Sequence, residues 1–235
     1  LVLIMEYALK GSLRNFLDKA ENPLSKELVF DLIYDVANGM KYIYSKGVEH
    51  RDLKADNVLL DEHHGELVAK VCDFGLAKCE ALITHTASMS KGVGGTLAWK
   101  APEEFDDEPF NEKCDVYSFG VVMWEIITRK IPWEGLGVTK IMMKVARGKR
   151  PDFEEDRYAQ LYGKKCIDTM KQCWAQESEE RPPFVEVLKM LPVNKKESTT
   201  FFDEARKQRQ SDLERERLKW EEEKRKMEEE KRKME

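Results

Sequence analysis

The sequence predicts an α+β fold that is mainly α-helical, with one short β-hairpin and a charged C-terminal helix. Three patterns lead to this prediction. Apolar residues recur every three or four positions over residues 29–43, the segment 115–129 is apolar almost all round, and two short apolar runs flank a polar turn at 61–65. Hydrophobic residues make up 41% of the 235 residues, which is enough for a core. Charged residues make up 36% and are concentrated after about residue 203, so the chain divides into a globular part and a polar tail.

The first 50 residues contain one strand and two helices by pattern. Residues 1–5 are all apolar, which is typical of a buried strand. Ser12 is placed to cap a short helix that buries three apolar side chains. A longer amphipathic helix follows Pro23, and we expect Gly47 to close it in the left-handed conformation.

The middle of the chain is predicted to contain the hairpin, with strands at 58–60 and 67–72. The segment from 73 to 102 has no strong periodicity, and a connection that long in a compact domain is usually functional or disordered. Beyond it the sequence favours one buried helix and three further helices, at 115–129, 138–147, 166–175 and 183–191.

Charge and cysteine usage narrow the classes of protein. The net charge of -5 gives no general attraction to nucleic acid or to anionic membranes, so no nucleic-acid partner is expected. Five scattered cysteines without metal-ligand spacing suit a reducing compartment, so we expect a cytoplasmic protein. No apolar run approaches the length of a membrane span. The chain begins at Leu1 rather than at Met, which predicts that it is the interior of a longer product.

The string HRDLKADN at 50–57 carries the clearest chemistry in the sequence. Phosphoryl transfer to a hydroxyl needs a carboxylate to orient that hydroxyl, a cation on the moving phosphate and oxygen ligands for Mg²⁺. Asp52, Lys54 and Asn57 supply these groups within one loop. Farther along, Asp73 begins the string DFG after a strand, and its carboxylate is a hard ligand for Mg²⁺. The string APE at 101–103 ends the long aperiodic segment.

These strings, in this order, resemble the signature set of eukaryotic protein kinases, and the resemblance covers residues 1–192, the hinge and the larger C-terminal lobe. It implies a protein-kinase-like fold and an enzyme that uses ATP, Mg²⁺ and protein substrates. It implies that Asp52 is the catalytic base, that Lys54 contacts the γ-phosphate, and that Asn57 and Asp73 are the metal ligands.

The resemblance also assigns the nucleotide side of the site. Glu6 and Ala8 fall where the hinge bonds adenine, Leu59 would pack under the ring, and Ser12 lies near the expected ribose. The glycine-rich loop and the lysine that precede the hinge in this family do not occur before residue 50. We therefore expect the 235 residues alone to bind ATP weakly and turn over little, while the full-length protein is active.

The kind of kinase is indicated by a few positions. Lys54 in the catalytic loop resembles the serine/threonine enzymes, and Thr96 is placed to bridge Asp52 and Lys54. Trp99 and the string at 115–120 resemble the tyrosine-kinase-like group, which mostly phosphorylates serine and threonine. Lys100 departs from the hydrophobic residue that is common at its position.

Other residues are implied to support or regulate the site. Asp115 would anchor His50, and Glu103 should pair with Arg181 in a partly buried ion pair. Arg51 and Lys78 would form a basic pocket for a phosphate on the activation segment. The candidate acceptors of that phosphate are Thr84, Thr86, Ser88 and Ser90.

The tail is expected to begin after a linker at 193–202. Residues 221–227 and 228–234 both read EEEKRKM, and four apolar residues fall seven apart: Leu213, Trp220, Met227 and Met234. A coiled coil needs two apolar positions in each heptad, and here the second holds charged residues. A solvated single helix over 203–235 is therefore favoured, with a weak coiled coil and a helical partner left open.

Two alternatives to an active enzyme remain open at the level of sequence. The lobe could be a pseudokinase or scaffold that offers a docking surface, or the tail could carry the main role as an assembly helix. Two weaker signals are better explained by ordinary structure than by a functional site. His63 and His64 could suggest a metal site, but they lie in a polar turn without further metal ligands, so a solvated loop is favoured. Cys72 is expected to be a small buried residue rather than a reactive thiol.

Overall fold

The computed structural model describes residues 8–63, 65–73, 97–105 and 110–192, together with Arg215, Arg217, Trp220 and Arg225; for His63 it describes the backbone alone. The chain divides into two compact units, Leu1–Pro192 and Val193–Glu235. Within the described residues no helix is both long enough and apolar enough to cross a membrane. The predicted strand at 1–5 lies outside the described residues.

Two helices begin the globular unit, and both start at a serine cap. Helix α1 spans Leu13–Lys19, and helix α2 spans Lys26–Tyr44. The hydroxyl of Ser12 accepts a hydrogen bond from the backbone N–H of Asn15, which satisfies a donor that the first turn leaves free. Beyond α2, Gly47 has a φ of 67°, so the predicted left-handed residue is confirmed.

The hairpin consists of strand β1, Val58–His63, and strand β2, Glu66–Val71, which pair antiparallel. Each strand reaches farther toward the turn than the sequence suggested. Since Gly65 has a φ of 83°, two residues are enough to reverse the chain, and the predicted five-residue connection at 61–65 is wrong.

Helix α3, Glu112–Thr128, is the buried centre of the unit, as its apolar pattern predicted. The side chain of Asn111 caps its start, and Arg129 in the left-handed conformation ends it. Gly120 allows a close approach on one face, because a Cβ there would lie 3.0 Å from the backbone nitrogen of Trp174.

Four further helices complete the unit: α4 Val138–Ala146, α5 Glu155–Tyr162, α6 Lys164–Cys173 and α7 Phe184–Met190. Short 3₁₀ turns lie at Ala55–Asn57, Leu97–Trp99, Pro102–Phe105 and Ser178–Glu180. The sequence patterns predicted α4, α6 and α7 but not α5. Helix α5 is only eight residues long, and Tyr158 and Tyr162 are its two buried residues.

The core joins the helices to the hairpin. Helix α2 packs against β2, α3 and α7, while α3 packs against α6. The ring of Phe184 lies between those of Tyr44 and Phe119, at centroid distances of 5.9 and 5.6 Å. The loop at 50–57 therefore leaves a well-packed helix, α2, and enters a well-paired strand, β1.

The second unit is described at four positions. Arg215, Arg217, Trp220 and Arg225 are helical, and Trp220 is 61% exposed. The remaining residues of the predicted linker and heptads lie outside the described residues, so the choice between a single helix and a coiled coil stays a prediction.

Candidate active site

Three side chains of the loop at 50–57 meet directly. The Lys54 Nζ donates to Asp52 Oδ2 at 3.0 Å, and the Asn57 Nδ2 donates to the same oxygen at 2.9 Å. The Asn57 Nδ2 also donates to the Asp52 carbonyl at 2.8 Å. The second carboxylate oxygen, Asp52 Oδ1, is buried and has no hydrogen-bond partner among the described residues. Asp52 therefore keeps one acceptor free for an incoming donor.

The start of this loop is fixed by Asp115 of α3. Its two carboxylate oxygens accept hydrogen bonds from the backbone N–H groups of His50, at 2.8 Å, and Arg51, at 2.9 Å. The Tyr44 hydroxyl donates to it as well, at 2.6 Å. The predicted anchoring of His50 by Asp115 is confirmed, although the contact is made through the His50 backbone. Burial raises the pKa of Asp115, and its hydrogen bonds only partly oppose this effect.

The His50 ring connects the loop to the end of β2. Its Nδ1 accepts a hydrogen bond from the Asp52 N–H at 3.2 Å, and its Nε2 lies 3.0 Å from the Cys72 carbonyl oxygen. The Cys72 N–H donates to the Asn57 carbonyl at 2.9 Å. These bonds place Asp73, the next residue, beside the loop at 50–57. Asp73 is exposed and has a φ of 62°, a conformation that is uncommon for a residue with a side chain.

The donor set fits Mg²⁺. Because Asn57 uses its Nδ2 for Asp52, its amide oxygen is the atom available to a cation, and Asp73 contributes an exposed carboxylate. Mg²⁺ is commonly bound by one or two protein oxygens together with phosphate oxygens and water. Among the described residues no group of three or more His, Cys, Asp and Glu could hold a metal ion.

The predicted nucleotide residues lie where α1 meets the hairpin. Ser12 pairs with Leu59 in an isolated antiparallel bridge, and the Leu60 N–H donates to the Gly11 carbonyl at 2.8 Å. Leu59 is partly exposed whereas its neighbours Val58 and Leu60 are fully buried, so it faces the open side of the hairpin. Glu6 lies outside the described residues. The Ser12 hydroxyl is engaged in capping α1, and its role toward ribose stays a prediction, as does that of Ala8.

Glu125 is a supporting residue that the sequence patterns did not identify. Its carboxylate is fully buried in α3 and accepts hydrogen bonds from the Ala55 N–H at 3.1 Å and the Trp99 Nε1 at 2.7 Å. Arg14 of α1 donates to it at 3.2 Å. Burial raises the pKa of Glu125 to about 7, against the opposing effect of these donors. The available signal was an acid within the most apolar part of the helix, because such a group needs partners to be buried.

The predicted ion pair between Glu103 and Arg181 is confirmed. The two guanidinium nitrogens of Arg181 donate to the two oxygens of Glu103, at 2.5 and 2.8 Å. Burial by itself would raise the pKa of Glu103. The hydrogen bonds and charge of Arg181 outweigh that effect, so the pKa lies below its ordinary value of 4.5.

Of the predicted regulatory residues, the structure describes only Arg51. Its guanidinium pairs with Glu49 and lies over the ring of Phe110. Several other predicted residues lie outside the described residues: Lys78, Thr84, Thr86, Ser88, Ser90 and Thr96.

A buried helix, α3, supports a loop of acid, ammonium and amide groups, and Asp73 lies two residues beyond the end of β2. This arrangement is typical of the large lobe of protein kinases. The chain belongs to the protein tyrosine and serine/threonine kinase family, whose model matches residues 1–191. This match confirms the family and the fold class that the sequence strings predicted.

Individual relatives agree with the family. Two proteins of Arabidopsis thaliana are each 37% identical to the chain: the serine/threonine/tyrosine-protein kinase HT1 over 191 residues, and the serine/threonine-protein kinase CTR1 over 196 residues. The matches cover 80% and 81% of this chain, but 46% and 22% of the relatives. A probable LIM domain-containing serine/threonine-protein kinase of Dictyostelium discoideum is 39% identical over 80% of this chain and 18% of its own length. The chain thus spans less than half the length of these relatives.

Proposed function

We propose that this chain is the catalytic-loop part of an ATP- and Mg²⁺-dependent protein serine/threonine kinase. The observation that carries the proposal is the environment of Asp52. Lys54 and Asn57 bind one of its carboxylate oxygens, while the other is buried without a partner among the described residues. A carboxylate in this state is suited to accept a hydrogen bond from a substrate hydroxyl and then its proton.

Each residue of the cluster has a distinct role in this proposal. Asp52 orients the serine or threonine hydroxyl and receives its proton as the oxygen bonds to the γ-phosphorus, while the bond from that phosphorus to the β–γ bridging oxygen breaks and ADP leaves. Lys54, whose side chain is 19% exposed, offers its ammonium group to the transferred phosphate. Asn57 fixes the Asp52 carboxylate through its Nδ2 and has its amide oxygen left for the metal.

Mg²⁺, when bound, neutralises charge on the phosphates, and Asn57 and Asp73 are the residues that would hold it. A backbone hydrogen bond holds these two residues near each other, because the N–H of Cys72, the residue before Asp73, donates to the Asn57 carbonyl. We expect Asn57→Ala and Asp73→Asn each to weaken Mn²⁺ binding in the presence of ATP, which electron paramagnetic resonance measures. Unchanged Mn²⁺ binding in both variants would refute the assignment of the two ligands.

Serine and threonine are proposed as acceptors on the basis of Lys54 and of the names of the relatives. The family model itself covers tyrosine kinases as well, and the name of HT1 includes tyrosine. Phosphoamino-acid analysis of a phosphorylated substrate separates these possibilities, and phosphotyrosine as the main product would contradict the proposal.

The central experiment is a phosphotransfer assay on the natural gene product that contains these residues. Asp52→Asn should lower kcat by about a thousandfold, because it removes the proton acceptor while it preserves the shape of the side chain. Asp56→Asn is the matched control, since Asp56 is an exposed acid in the same loop. Equal phosphotransfer by the Asp52 variant and the wild-type protein would refute Asp52 as the proton acceptor, and no transfer by the wild-type protein would favour the pseudokinase or scaffold alternative.

A cytoplasmic location is part of the proposal. Four cysteines among the described residues are free thiols, and burial raises the pKa of each of them: Cys72, Cys114, Cys166 and Cys173. Such thiols suit a reducing compartment. The upward shift at Cys72 also supports the expectation that it is not a reactive thiol.

A further inference from the structure

Glu49 forms an ion pair with Arg51 two residues away, immediately before the catalytic loop. The Arg51 Nε and Nη2 both donate to the same Glu49 oxygen, at 3.0 and 2.5 Å. The side chains are 22% exposed for Arg51 and 26% exposed for Glu49. The pair is therefore better shielded from water than an ordinary surface ion pair, and a shielded pair interacts more strongly.

Arg51 is also held through its ring contact and its peptide groups. Its guanidinium lies 4.8 Å from the centre of the Phe110 ring, and its N–H donates to Asp115 at 2.9 Å. Its carbonyl oxygen lies 3.4 Å from the ammonium of Lys100, which pairs with Glu104. Each of these contacts fixes the residue directly before Asp52.

The backbone of Arg51 needs such contacts. Its φ of 69° lies in the left-handed region, which is strained for a residue with a side chain. Without external contacts the peptide would relax to a negative φ. That rotation would move the next residue, Asp52, away from Lys54 and Asn57.

We propose that Glu49 is a positioning residue for the catalytic loop, which acts through Arg51 to keep Asp52 oriented toward Lys54 and Asn57. This inference rests on the proposed phosphoryl transfer. Glu49 supplies from within the lobe an anion for Arg51, so the loop is ordered before any phosphate is added to the chain. Phosphorylation of Thr84, Thr86, Ser88 or Ser90 would then add to a basal activity rather than create it.

The test compares Glu49→Gln with the wild-type protein after phosphatase treatment of the natural gene product. Glu49→Gln has the same shape but lacks the charge, so kcat should fall about tenfold while the KM for ATP changes by less than about twofold. Glu49→Asp, which restores the carboxylate, should recover part of the loss. The matched control is Glu186→Gln on α7, because Glu186 is paired with Lys189 at an exposed site. A kcat within about twofold of wild type for Glu49→Gln would overturn the proposal.

A second readout does not depend on activity. In the phosphatase-treated gene product, amide hydrogen exchange at residues 51–53 should become about tenfold faster in Glu49→Gln, with exchange in α6 unchanged. Faster exchange in a protein that transfers no phosphate would support the positioning role and refute the proposed enzyme. Unchanged exchange would refute the positioning role, whatever the activity of the wild-type protein.

Discussion

The two ends of helix α3 support the same catalytic loop by different means. Near the start of the helix, Asp115 receives neutral donors: the backbone N–H groups of His50 and Arg51, and the Tyr44 hydroxyl. Ten residues later, about 15 Å along the axis, Glu125 receives a backbone N–H of the loop together with an indole N–H and a guanidinium.

The difference shows how the loop at 50–57 is held in one conformation from both sides. Asp115 and Glu125 bond the first and later parts of the loop, at His50 and Ala55, while Asp52 lies between them. Asp115 is thus bound almost entirely to the loop and the end of α2. Glu125 also joins α1 and the segment at 97–99, so it couples the loop to more distant parts of the lobe.

The largest expected effect follows from Asp115→Ala. The change leaves the N–H groups of His50 and Arg51 and the Tyr44 hydroxyl without their acceptor, which should lower the free energy of unfolding by about 4–5 kcal/mol. Urea denaturation of the 235-residue chain measures the loss. Asp168→Ala on the exposed side of α6 is the matched control and should change stability little. A loss of less than about 1 kcal/mol for Asp115→Ala would show that Asp115 does not hold the loop at 50–57 in place.

Arg181→Ala tests a second contact at the same end of α3. Arg181 is fully buried and donates to Glu103 and to the Lys113 carbonyl within α3. Its removal leaves the largely buried Glu103 carboxylate without its counter-ion, with the Cys114 thiol as a remaining donor. We expect a loss of about 4 kcal/mol in the free energy of unfolding.

The ion pair also predicts an acid-dependent loss of stability. The depressed pKa of Glu103 gives the wild-type protein stability that is present above pH 4.5 and is lost as the pH falls through the folded-state pKa. Arg181→Ala should lack this part of the acid-dependent loss. Denaturation curves of the wild-type protein and of Arg181→Ala, above and below pH 4.5, measure this difference. Equal loss of stability in acid in both proteins would show that the ion pair does not cause it.

Glu125→Gln tests the ionisation of Glu125, near the C-terminal end of α3, because it removes the charge and keeps the shape of the side chain. The pKa of Glu125 is raised from 4.5 to about 7, so the folded protein resists ionisation where the unfolded chain ionises. The stability of the wild-type protein relative to Glu125→Gln should therefore fall by about 3 kcal/mol as the pH rises from 4.5 through 7. Urea denaturation across this pH range measures the difference. A difference that stays constant with pH would show that Glu125 titrates normally.

The grouping of side chains at the candidate site could be predicted from sequence, and so could two supporting contacts, of Asp115 with His50 and of Glu103 with Arg181. The supporting contacts of Glu125 and Glu49 could not. Phosphoryl transfer requires particular groups at short spacing, so the strings at 50–57 and 73–75 identified Asp52, Lys54, Asn57 and Asp73. The apolar pattern of 115–129 likewise predicted the burial of α3. The contact of Arg14 with Glu125 joins residues 111 positions apart. A single sequence contains no signal for such a pairing, because only the packing of α1 against the rest of the lobe creates it.

Local contacts were missed for a different reason. Glu49 and Arg51 are close in sequence, but an ion pair between residues two apart depends on the left-handed backbone of Arg51. Propensity does not predict that conformation for arginine. Such strained positions are stabilised by the surrounding fold, so they become visible only after the fold is known.

The smallest expected effect distinguishes the two ends most selectively. Ser12 caps α1 and Ser25 caps α2, each through a hydrogen bond of 3.2 Å from a backbone N–H. Ser12→Ala and Ser25→Ala should therefore each lower the free energy of unfolding, measured by urea denaturation, by about 1 kcal/mol.

The two variants should differ in their effect on Glu125. Only α1 carries Arg14, whose charge and hydrogen bond lower the pKa of Glu125. If the first turn of α1 frays in Ser12→Ala, Arg14 lowers the pKa of Glu125 less, so that pKa should rise further. The pH-dependent loss of stability should then extend to higher pH in Ser12→Ala. Ser25→Ala is the matched control, because α2 supports Asp115 instead through Tyr44. Equal shifts in the two variants would mean that the two ends of α3 are not separately supported.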